Sequence, residues 1–219
     1  MGFDNSKGKG PVVAVDGPAA SGKGTIARAL ADHFGLPHMD TGLLYRAVAL
    51  NLWRWGGDPG SEFEVLRACA DLGFDANDPD LRSETVSKIA SMISVYPSVR
   101  GALLERQQSF ALREGGAVLD GRDIGTVIAP NADVKLFVTA TPEVRAQRRL
   151  EELKRRGMTA HYEDVLADIR ARDERDSHRE VAPLEPAVDA LLLETSELSP
   201  AEAIANAISL AERRLSRAI

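Results

Sequence analysis

Residues 12–25, Val-Val-Ala-Val-Asp-Gly-Pro-Ala-Ala-Ser-Gly-Lys-Gly-Thr, constrain this chain more than any other stretch. The opening apolar run is what a strand buried on both faces requires. Gly17, Pro18, Ala19, Ala20, Ser21, Gly22, Lys23, Gly24 and Thr25 then make a glycine-rich turn into a helix predicted over 23–34. Glycines let such a turn bend tightly, so that its N–H groups point inward and cradle phosphate. The helix N-terminus adds partial positive charge, and Lys23 is placed to reach the β- and γ-phosphates of a nucleotide. The usual Ser or Thr after the lysine is replaced by Gly24, with Thr25 following. Contact between Thr25 and a phosphate-bound Mg²⁺ is therefore direct or through a water.

A strand–turn–helix unit of this kind belongs in a parallel sheet, and the rest of the chain supplies the other strands. Short apolar runs recur at 36–39, 117–119, 134–138 and 190–193. Helical patterns lie between them, at 62–72, 98–112 and from Tyr162 onward. Thr141-Pro142-Glu143 reads as a helix cap, a first-turn proline and an acid suited to the dipole. Ser199 and Glu202 have capping-box spacing for a last helix. Strands alternating with helices predict an α/β fold with helices on both faces. Residues 56–83, rich in Gly, Pro and Asp, look like an insert.

At 219 residues the chain fits one domain. With 27 Lys and Arg against 33 Asp and Glu, its formal charge of −6 argues against nucleic-acid binding, which is largely a cationic effect. No apolar stretch is long enough for a bilayer, so no membrane is expected. Residues 1–10 lack a signal-peptide core and read as a mobile lead-in. The single cysteine, Cys69, permits no internal disulfide, and a cytoplasmic location follows as the expectation. Among phosphate-loop proteins, a GTPase needs an Asn-Lys-x-Asp guanine reader, and no Asn here precedes Lys. A small phosphotransferase remains, with much of the chain left for a second substrate.

Candidate residues for that substrate converge on one edge. Asp40 and Thr41 follow one predicted strand, and Asp120, Arg122 and Asp123 follow another. In an open parallel sheet these positions border the ligand crevice, as the phosphate loop does. Thr41 is a plausible N-cap, with Arg46 just over one turn into its helix. Residues 145–179 add ten basic residues: Arg145, Arg148, Arg149, Lys154, Arg155, Arg156, Arg170, Arg172, Arg175 and Arg179. Tyr162, Val165, Leu166 and Ile169 form an apolar stripe that continues as Arg172, Asp176 and Arg179 if the helix persists. Charges on such a stripe line a cleft or pair as a helix-end ion pair, Asp176 with Arg179.

The segments 16–25, Asp40-Thr41-Gly42-x-x-Tyr45-Arg46, Leu119-Asp120-Gly121-Arg122-Asp123-Ile124-Gly125-Thr126 and Arg172-Asp173-Glu174-Arg175-Asp176-Ser177-His178-Arg179 resemble bacterial cytidylate kinases. The likeness runs over about 11–215. It implies a nucleoside monophosphate kinase fold with a five-stranded parallel sheet, an acceptor-binding region at about 56–113 and a movable lid at about 145–180. The core would be 11–55, 115–145 and 185–219. It further implies transfer from ATP to CMP or dCMP with Mg²⁺, by a monomer in the cytoplasm. Arg46, Arg122 and Arg179 would hold the CMP phosphate, with Ser91, Arg100 and Asp123 at the cytosine and Thr41 nearby. Arg172 and Asp176 would face the sugar. Lys23, Arg122, Arg179 and Arg149 are the candidate catalytic residues, and Thr25 and Asp120 the candidate Mg²⁺ contacts. Other lid arginines, Arg145 and Arg156, share a helix face with Arg149. One departure stands out: the family's insert commonly carries a small sheet, whereas residues 56–83 show no hairpin pattern.

The chemistry agrees with these residues. Dissociative phosphoryl transfer needs alignment and charge neutralisation, and arginine grips phosphate at two points. A phosphate acceptor needs no general base, so Asp123 is free to accept from the cytosine 4-amino group. Two other readings stay open: a kinase for another monophosphate or a small hydroxyl metabolite, with Asp123 as base, and a regulator that binds nucleotide without turnover. His33, His38, His161 and His178 lack metal-ligand spacing. Cys69, Trp53 and Trp55 read as local packing, and Phe34 and Phe137 as core.

Overall fold

The structure, a computed structural model, describes residues 10–70 and 72–216. The expected lead-in up to residue 9 lies outside them. Chain order is β1 (Val12–Asp16), α1 (Lys23–Phe34), β2 (His38–Asp40), α2 (Gly42–Trp55), α3 (Glu62–Ala68), a 3₁₀ turn (Pro79–Arg82), α4 (Glu84–Ile93) and α5 (Pro97–Ala111). Then follow β3 (Ala117–Gly121), a π-turn (Ile124–Ile128), β4 (Val134–Thr139), α6 (Pro142–Arg155), α7 (Tyr162–His178), β5 (Leu191–Glu194) and α8 (Pro200–Ser216).

The five strands form one sheet in the order β2-β3-β1-β4-β5, and every pairing is parallel. Strand alternation divides the core. Val13 and Val15 face a cluster with Leu30 of α1 and Ala207 of α8, while Ala14 faces Leu119, Ile124 and Ala111 on the other side. A separate apolar cluster joins α2, α3, α4 and α5, including Leu52, Val65, Ile93 and Leu103. The insert therefore builds its own small core on α2, and no strand forms in it among the described residues.

Local expectations were met or displaced for identifiable reasons. Thr141 caps α6 by accepting from Val144 N, and Ser199 and Glu202 exchange backbone hydrogen bonds as a capping box. The helix expected over 62–72 stops at Ala68, where Cys69 N and Ala70 N turn back in 3₁₀ fashion to Leu66 O and Arg67 O. The strand expected over 36–39 begins only at His38, because Pro37 has no N–H for the ladder. Phe34 is half-buried and packs against the cluster of Val13 and Val15, while Phe137, also half-buried, lies outside the apolar clusters. Phe137 alternates with the buried Leu136 and Val138, so its ring points to the opposite face of the sheet.

Candidate active site

The phosphate loop leaves β1 at Gly17, whose φ is +151°. A Cβ there would lie 2.0 Å from Val138 O, so only glycine fits. Gly22, at φ +90°, turns the chain into α1. The loop is braced from behind: Arg148 and the Thr195 hydroxyl both donate to Ser21 O. Lys23 makes no ion pair among the described residues, and burial, with Arg122 nearby, lowers its pKa to about 8. Its ammonium stands ready for an anion.

Opposite the loop lies a cavity of about 390 Å³. Thr41, Arg46, Ser91, Arg100, Arg122, Asp123, Arg172, Asp176 and Arg179 all line it. So do Ala19, Ala20, Gly22, Lys23, Gly24, Thr25, Asp120 and Arg149. Gly17, Pro18 and Ser21 shape the loop without lining the cavity. The convergence expected from strand ends is therefore observed, with α2, α4, α5, α6 and α7 contributing further residues.

One part of this cavity concentrates positive charge. Arg46 donates to Ser87 Oγ at 2.5 Å and to Leu81 O, and burial lowers its pKa to about 10. Arg122 Nε donates to Asp176 at 2.8 Å; burial opposes that charge, but Asp176 outweighs it and raises the pKa. Arg172 is brought down to about 9 by burial and by Arg122, and its Nε is buried without a hydrogen-bond partner. Burial also opposes the charge of Asp176, but Arg122 and Arg172 together hold its carboxyl below the usual range. All three guanidiniums stay charged at neutral pH.

Another part is a carboxylate held by two arginines. Asp123 receives Arg100 on one oxygen and Arg179, at 3.5 Å, on the other. Arg100 also reaches Ser94 O and lies 5.9 Å over the Tyr45 ring. Arg179 stands where α7 has ended, with extended backbone, and its Nε donates to Ala182 O. It has thus left the stripe of Arg172 and Asp176, and no Asp176–Arg179 ion pair forms. Arg149 pairs with Glu84 of α4 and with Glu152 at 2.6 Å.

The segment carrying Arg122 and Asp123 is anchored to β1. Both Asp16 oxygens accept backbone N–H groups, from Ile124 at 2.8 Å and Gly125 at 2.7 Å. Burial raises the Asp16 pKa to about 6 despite those two donors. Thr41, expected as an N-cap, has helical backbone and makes no cap bond; its hydroxyl donates to Asp120 O at 2.8 Å, tying β2 to β3. Asp120 Oδ1 meets His38 Nε2 at 2.8 Å, while its Oδ2 would lie 3.6 Å from a Cβ on Gly24. A hydroxyl at Thr25 and one carboxylate facing the loop fit Mg²⁺, which keeps waters and takes its other ligands from substrate phosphates. Among the described residues no cluster of three metal-binding side chains exists, as that mode allows.

Two other arginines of 145–180 behave differently from Arg149. Arg145 is 3 % exposed and bound twice by Asp173, with further donation to Ala140 O and Ala19 O. It lies behind the loop rather than in the cavity. Arg156 donates to Arg82 O and does not line the cavity either. Sequence reasoning gave Ser87 no role and read Arg148 and Arg175 only as basic residues of 145–179; their partners come from distant segments.

The family model described as cytidylate kinase matches residues 13–213. A cytidylate kinase of Cereibacter sphaeroides is 56% identical over 202 residues, covering 92% of this chain and 95% of that protein. One from Xanthobacter autotrophicus is 55% identical over 204 residues, 93% of this chain and 98% of the relative. A crystal structure of a gluconokinase from Sinorhizobium meliloti has the same fold, with TM-score 0.53 and 16% identity over 95% of this chain and 96% of that one.

Proposed function

This chain belongs to the cytidylate kinase family, and on that premise we propose that it transfers the γ-phosphoryl group of ATP to CMP or dCMP, giving ADP and CDP or dCDP. The observation that carries the site assignment is the single cavity in which Lys23 and the phosphate loop face Arg46, Arg122 and Arg172. Two anions brought together there need that density of cations. Loop amides and Lys23 take the ATP phosphates, and the arriving charge offsets the burial that lowers the Lys23 pKa. Arg46 and Arg122 hold the CMP phosphate in line with the γ-phosphate, with Arg179 beside them and Arg172 and Asp176 toward the sugar. Arg149 exchanges Glu84 for transferring phosphate oxygens.

The acceptor oxygen is already anionic, so no side chain has to remove a proton. Asp123, with both oxygens on guanidiniums, has lone pairs left for the cytosine 4-amino group. Uracil would place its O4 carbonyl against that carboxylate. Thr25 and Asp120 would hold Mg²⁺, which when bound neutralises charge on the transferring phosphates. Residues 56–113 act as the acceptor-binding region and 145–180 as a lid that excludes water once both substrates are bound. Small nucleotides as the only substrates, monomeric action and a cytoplasmic setting are parts of the same proposal.

ADP release measured with CMP, dCMP, UMP, AMP and GMP as acceptors tests it. CMP and dCMP should support turnover well above the others. Equal rates across the panel, or ATP binding with no turnover on any acceptor, would refute it.

A further inference from the structure

Arg175, one of the ten basic residues of 145–179, does not line the cavity. Its guanidinium nevertheless donates twice to one oxygen, from Nε at 3.3 Å and a terminal nitrogen at 3.2 Å, and that oxygen is Ser91 Oγ. Ser91 is 3 % exposed and lines the cavity from α4. One turn on, Ser94 donates to Ser91 O at 2.9 Å and accepts Arg100, the partner of Asp123, on its own carbonyl. The Ser91 hydroxyl therefore belongs to the group of residues around Asp123. Its orientation is set from behind, by a residue 84 positions away on another helix.

A serine hydroxyl can take any of three rotamers and can donate or accept. Two N–H donors on its oxygen take both lone pairs, select one rotamer and fix where its proton points. The helices involved belong to different packing groups. α4 lies in the cluster with α2, α3 and α5, whereas the apolar stripe of α7 packs on α6. The Arg175–Ser91 pair crosses between the two groups beside the residues that read the acceptor.

We infer that Arg175 is a positioning residue for base recognition: it holds the Ser91 hydroxyl in register with Asp123, so that the acceptor base is fully read only when α7 is in place. This rests on the reading of the cavity as a CMP site. Arg175 touches neither substrate and acts through Ser91.

The test is a double-mutant cycle of Arg175→Met and Ser91→Ala, with Arg175→Lys as a third variant that keeps a donor and the long stem. KM for CMP, KM for ATP, kcat and the CMP-to-UMP ratio of kcat/KM are measured for each, alongside thermal unfolding. Arg175→Met should raise KM for CMP about 5- to 20-fold and lower the CMP-to-UMP ratio, with KM for ATP changed less than about twofold. In the Ser91→Ala background the same substitution should change KM for CMP less than about twofold, and Arg175→Lys should fall between wild type and Met. Equal effects in both backgrounds, or a rise in KM for ATP matching that for CMP, would overturn the inference while leaving CMP phosphorylation standing. Absence of CMP turnover by the wild type would overturn the functional reading and the inference together.

Discussion

Asp16→Asn probes the joint between the two halves of the site. Asp16 ends β1 immediately before the phosphate loop, and its oxygens hold the N–H groups of Ile124 and Gly125, next to Arg122 and Asp123. An asparagine side chain has one oxygen for two donors, so one buried N–H faces an NH₂ group instead. That mismatch costs about 1–3 kcal/mol and loosens the turn. A second consequence is a change in pH dependence. Burial raises the native Asp16 pKa from 3.8 to about 6, so between these values the native state holds a proton that the unfolded chain has released. The stability conferred by that proton is fully present below about 4 and lost as pH rises through about 6. The displacement corresponds to about 3 kcal/mol. Asparagine does not titrate. The unfolding free energy of wild type minus that of Asp16→Asn, from urea denaturation at pH 4 to 8, should therefore fall with rising pH by about 2–3 kcal/mol. Parallel curves for the two proteins, or a difference that grows with pH, would refute the reasoning.

Two further predictions concern the acceptor and the lid. Asp123→Asn should lower kcat/KM for CMP by roughly 10- to 100-fold, mainly through KM, and narrow the preference over UMP; equal loss of kcat on every acceptor would instead mark Asp123 as a base. Hydrogen exchange over 145–180 should slow when CMP and a non-hydrolysable ATP analogue are both bound, and unchanged protection would remove the lid from the mechanism.

The readable part of this protein lies where local chemistry and tertiary structure agree. The phosphate loop, α1 and the four longer strands follow from apolar runs and glycine chemistry, and the crevice follows from parallel topology, since strand ends must share one edge. What escaped depends on partners remote in sequence. Thr41 has the residue type of a cap, but the Asp120 carbonyl takes its hydroxyl. Arg145 shares a helix face with Arg149, yet Asp173 of α7 captures it behind the loop. Arg179 fits the α7 stripe by number, but the helix ends at His178 and the residue turns to Asp123. Arg175 is one of ten basic residues in 145–179, and only the folded chain brings Ser91 of α4 to it.

The central claim is that one cavity gathers two nucleotides by their phosphates, and a linked ligand tests it most directly. Adenosine and cytidine joined 5′ to 5′ through a polyphosphate chain should bind one per protein chain and compete with ATP and with CMP alike, more tightly than either alone. Competition with only one of the two substrates would contradict the account.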